Sequence, residues 1–126
     1  MIEISDEQFD QFITEALDEL PQEYIRNMKN AAITIADHPT EEQRTKLKLC
    51  RGQTLYGLYE GIPLTQRSGN YSGVLPDKIT LFKGPISMSA TDMISLKSQI
   101  KRTLWHEIAH HYGLNHARIH ELENNL

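Results

Sequence analysis

The chain has 126 residues, 39% of them hydrophobic and 24% charged, which suits one ordinary globular domain. Its 13 basic and 17 acidic residues leave a net charge of −4 with no basic tract, which speaks against a nucleic-acid partner. No run approaches the ~20 apolar residues of a membrane span, the opening "MIEISDEQFD" lacks the pattern of a secretory signal, and the single Cys50 cannot close an internal disulfide, so a cytoplasmic protein with Cys50 in buried packing is expected.

Ser5-Asp6-Glu7-Gln8 has the S-x-x-Q spacing of a capping box and predicts a helix start. Phe9, Phe12, Ile13, Ala16, Leu17 and Leu20 then form one apolar stripe, with acids on the opposite face. Pro21 ends this helix or opens a second turn. "AAITIAD" (31–37) reads as a buried strand. Thr40 and Gln43 repeat the capping-box spacing and predict a short helix near 41–49. "TLYGLYEG" (54–61) is a second strand, in which Gly57 marks a bulge or a close backbone approach. Residues 62–77 read as loop. "KITLFKG" (78–84) is a third strand, broken by Pro85. From about Thr91 a helical period runs through Ile94, Ile100, Leu104 and Ile108 and stops at Gly113. "ARIHELEN" makes a last short helix. The expected architecture is one α+β domain over residues 1–126.

The long helix carries "HEIAHHYGLNH" (106–116). His106-Glu107-Ile108-Ala109-His110 is H-E-x-x-H. Residues four apart on a helix are separated by about 400° of turn and about 6 Å of rise, so both imidazoles leave one face and can converge on one ion. Zinc is the default ion for such ligands, although nickel, cobalt or iron also suit imidazole. Glu107 is rotated about 100° from His106, where it can take a proton from water and return it to a leaving amine. A catalytic zinc takes three protein ligands. Gly113 turns the chain and His116 completes H-E-x-x-H-x-x-G-x-x-H, the metzincin spacing, so His116 is the first choice for the third ligand, with His120 and Glu121 in reserve. The ten residues after His116 include no methionine, so the metzincin methionine turn is not expected. His111 reads as a helix-end cation facing the C-terminal dipole. Trp105 reads as core, on the side of the helix away from the ligands. Tyr112 reads as core or helix packing, and Arg67 and Tyr71 as surface loop.

Two further blocks, "GLYEGIPLT" and "LPDKITLF", extend the likeness beyond the motif. With "TLWHEIAHHYGLNHARIHELE" they resemble the small bacterial zincin-like metallopeptidases, the minimal zincins, over nearly the whole chain. The resemblance implies an α+β minimal zincin-like fold: a small mixed sheet packed against helices that include the H-E-x-x-H helix. It implies one zinc per chain on His106 and His110, with Glu107 as the acid–base group. An acidic residue is usual in that family where this chain has His116. The implied activity is zinc-dependent peptide hydrolysis. The alternative is a metal-holding scaffold that recognises a peptide or protein partner without cleaving it. A zincin substrate lies as an extended strand along a sheet edge, here 54–60 or 79–83. No nucleic-acid or membrane partner is expected.

Overall fold

The computed structural model describes residues 2–28, 31–48, 55–61 and 77–123, with the His116 side chain excepted. Cys50, Arg67 and Tyr71 lie outside the described residues, and so does most of the 62–77 segment.

Helix α1 (Asp6–Glu19) begins as its sequence requires: the Ser5 hydroxyl accepts from the Gln8 N–H, and the Gln8 side chain accepts from the Ser5 N–H. This satisfies two amides that the first turn leaves open. Pro21 caps the short α2 (Gln22–Arg26). Strand β1 (Ala31–Ala36) follows, then α3 (Glu41–Lys46), which has its own capping box from Thr40 and Gln43. Strands β2 (Gly57–Glu60) and β3 (Asp77–Phe82) complete a sheet of order β1-β3-β2. β1 runs parallel to β3, and β2 runs antiparallel to it. The sheet is therefore small and mixed.

β3 does not continue to residue 84. Lys83 and Gly84 open α4 (Lys83–Ser89), a helix that the strand pattern concealed. Pro85 falls in its first turn, where an amide would have no helical partner and the ring's φ already suits the helix. The proline ends the strand by starting a helix.

Helix α5 (Met93–Tyr112) is the longest element and begins at an Asp92–Ser95 capping box. It ends on Gly113 at φ 73. The Leu114 N–H reaches the Ala109 carbonyl and the Gly113 N–H reaches that of His110, both at 3.0 Å, which is a complete Schellman closure. Helix α6 (His116–Glu123) follows directly after Leu114 and Asn115. None of the described helices is long and apolar enough to cross a membrane.

The core lies between the sheet and the α1–α5 layer. Phe9 and Ile13 of α1, Ile79 and Leu81 of β3, and Ile100, Leu104 and Ile108 of α5 are buried together. Trp105 is fully buried, its ring edge-on to Tyr24 at 5.3 Å between centroids. Tyr112 meets Tyr24 in the same way and donates its hydroxyl to the Tyr24 carbonyl. Both aromatic residues are packing groups that pin α5, as their positions suggest. Lys97–Glu15 and Lys101–Glu19 link α1 to α5 at the surface. Exposed pairs of this kind add little stability.

Candidate metal centre

The last two turns of α5 present two different faces. His106 and His110 stand side by side, 4.7 Å between ring centroids and tilted by 51°. Helical spacing of four residues brings them together. Glu107 lies on the neighbouring face, which packs against the sheet. Its side chain is only 9% exposed, and His110 Nδ1 stands 3.7 Å from its Oε1.

The approach of α5 to β2 is set at Gly57. A Cβ there would come within 2.7 Å of Thr103 Cγ2 and 3.1 Å of Glu107 Cγ. The glycine in the strand thus marks a close backbone approach, and that approach buries Glu107. Burial pushes the Glu107 carboxyl up to about 7, opposed by the nearby Tyr59 backbone N–H, which favours the charged form. The register explains why that N–H is available. The Phe82 N–H donates to the Tyr56 carbonyl, so Tyr56, Leu58 and Glu60 take the hydrogen-bonded positions facing β3. The peptide groups of Gly57 and Tyr59 point the other way, off the edge.

An open cleft of about 470 Å³ lies along this edge. Gly57, Tyr56, Thr103, His106 and Glu107 line it, together with Glu123 from α6. Glu123 was not singled out by the sequence, because nothing in its spacing connects it to the motif. The reserve ligands lie elsewhere. The His120 side chain is 74% exposed, with Nδ1 3.5 Å from Glu123 Oε2. Glu121 is exposed and pairs with Arg118 at 2.9 Å. His116 opens α6, one short turn after the Gly113 stop; its side chain lies outside the described residues. Among the described residues no three His, Cys, Asp or Glu side chains gather closely enough to hold an ion. The paired imidazoles suit zinc as two of its three ligands.

His111 departs from expectation. Instead of turning to the helix end, the side chain is fully buried, with Nδ1 2.8 Å from Asp77 Oδ2. It follows Glu107 by four residues, so it shares the sheet-facing side of the helix. Its partner is 34 residues away in sequence, and helix-end reasoning has no access to such a contact. The Tyr59 hydroxyl donates to the same Asp77 oxygen at 2.8 Å. Asp77 and Tyr59 carried no local signal of this role. The edge choice is also narrowed: β3 is paired on both sides, so of the two strands considered only β2 offers an edge among the described residues.

A model of the zincin-like metallopeptidases matches residues 28–126. The chain belongs to that family. The match takes in the sheet, the α5 motif and α6. Among solved structures, the zincin-like chain is similar to a conserved hypothetical protein from Thermus thermophilus. The two share 18% identity with a TM-score of 0.59, over 86% of this chain and 94% of that one. At this identity the likeness is one of fold. No curated protein matches the sequence.

Proposed function

We propose that this zincin-like chain is a zinc-dependent peptidase. The observation that carries the reading is the buried Glu107 beside the His106–His110 pair, at the edge of β2. His106 and His110 would hold the ion, with His116 as third ligand. Zinc, when bound, supplies a Lewis acid that polarises a carbonyl and makes water more acidic. Glu107 accepts a proton from the attacking water and delivers it to the departing amine. Burial raises this carboxyl in the metal-free chain and strengthens it as a proton acceptor, and a bound cation would draw it back toward the charged form that takes the proton. The Gly57 peptide group borders the cleft, where an extended peptide can pair with the strand. The close approach of α5 to Gly57 sets the depth of that cleft and keeps Glu107 from bulk water.

The test has two readings. Purified protein should contain about one zinc per chain, as the ligand count requires. Glu107→Gln should retain the zinc and abolish cleavage of a broad peptide library. Cleavage that survives Glu107→Gln sinks the mechanism. Zinc retained by a wild-type chain that cuts nothing favours a peptide-recognising scaffold instead.

A further inference from the structure

Asp77 is the first residue of β3 and is buried. Its Oδ2 accepts the Tyr59 hydroxyl from β2 and faces His111 Nδ1 from α5, each at 2.8 Å. One carboxylate oxygen therefore joins three elements. With its hydrogen on Nδ1, the His111 imidazole donates to that carboxylate. The Tyr59 and His111 rings also meet edge to face at 5.8 Å. The strand end passes directly over this carboxylate. A Cβ on Gly61 would stand 2.5 Å from Asp77 Oδ1 and 2.9 Å from the Tyr59 hydroxyl.

Tyr59 therefore connects the core to the motif. Its hydroxyl is tied to Asp77, and its backbone N–H is turned toward the Glu107 carboxylate, whose charged form it favours. His111 comes from the helical turn that follows Glu107. The same two elements thus meet twice, through the Asp77 junction in the core and by the close approach of Gly57 to Thr103 and Glu107 at the cleft. Stability alone is a poor reason for such an arrangement. Burying an acid and an imidazole costs desolvation that an apolar pair of similar size avoids. What directional bonds add is a defined position.

We propose that Asp77, His111 and the Tyr59 hydroxyl are positioning residues, which lock β2 against α5 so that the strand backbone from Gly57 to Tyr59 stays packed against Glu107. The proposal rests on the reading of Glu107 as the proton carrier, and it adds residues that touch neither substrate nor ion. Loss of the Tyr59 hydroxyl lets the strand edge shift while the ring still fills its place. Glu107 then keeps its burial and loses its orientation.

Amide hydrogen exchange tests this in protein without added metal, so the result does not depend on peptidase activity. Tyr59→Phe should speed exchange of the amide at position 59 about tenfold, while the amides of Ile100 and Leu104 keep their wild-type rates, because local opening is read separately from global unfolding. His111→Leu should do the same. His111→Asn should restore protection, since its side-chain amide stands where Nδ1 stands and can donate to Asp77. Unchanged exchange at position 59 in Tyr59→Phe overturns the proposal. So does a rise by one common factor at positions 59, 100 and 104, which would mark a purely stabilising role. Where the wild type cleaves peptides, Tyr59→Phe should lower kcat about tenfold at unchanged zinc content, and an unchanged kcat overturns the proposal as well. A wild type that cleaves nothing counts against the peptidase reading alone and leaves the exchange result to decide this one.

Discussion

Glu107 shows how one side chain acquires its chemistry from its neighbours. In water its carboxyl would titrate at 4.5, and burial against β2 raises it to about 7. The sign for stability follows directly. Between these values the native state keeps a proton that the unfolded chain has released. The stabilisation is complete below about pH 4.5 and is lost as pH rises through about 7. The full difference is about 3 kcal/mol at about 1.4 kcal/mol per tenfold change in proton affinity. Urea melts of the metal-free protein should therefore show stability falling across that interval, and Glu107→Gln should remove this component of the slope. A slope unchanged by the substitution would place the titration elsewhere. A bound cation beside the carboxylate favours its charged form, so zinc should shift the fall to lower pH. His106 and His110 act at the same scale. Replacing either with Ala removes one of two adjacent imidazoles, and equilibrium dialysis should show zinc affinity lowered at least about tenfold.

At the scale of elements, the decisive contact is between β2 and α5. Gly57 has no side chain, and the helix occupies the space that one would fill. Gly57→Ala should force Thr103 and Glu107 aside and destabilise the fold by about 1–3 kcal/mol, as overpacking does. A thermal melt would show this, and an unchanged Tm would mean that the gap is not tight. The glycine itself was legible as an interruption of a strand. Its partner was not, because Gly57 and Thr103 lie far apart in the sequence and no local pattern couples them. The same holds for α4. Its residues read as strand followed by breaker, since Phe82 continues the apolar run and Pro85 is ambiguous between ending one element and starting the next. By contrast, the starts of α1 and α3 and the C-terminus of α5 were readable almost to the residue, because capping is decided by side chains three or four positions apart.

At the scale of the whole molecule, the described residues form a sheet of three strands held by two long helices, and the fold leans on a few large side chains. Trp105 is fully buried between α5 and Tyr24. Trp105→Ala should cost about 3–5 kcal/mol, read as a large drop in the urea midpoint. An ion shared by α5 and the start of α6 would couple the chain's last helix to this body. Zinc at about a hundred times its dissociation constant should stabilise the native state by about 2.7 kcal/mol. For a chain of this size that is a rise in Tm of roughly 10 °C, reversed by chelator and absent in His106→Ala. A Tm indifferent to zinc and to chelator would argue against an ion at this site.

The sequence by itself determined the helix that carries the motif, the glycine that stops it, and the pairing of His106 with His110. All three follow from spacing along one continuous helix, where geometry is local and periodic. Only the tertiary structure decided that Glu107 is buried, that β3 is paired on both sides while β2 is the outer strand among the described residues, and that His111 turns inward to Asp77. These depend on which surfaces meet across long sequence separations, and burial, register and pairing are properties of the packed elements together.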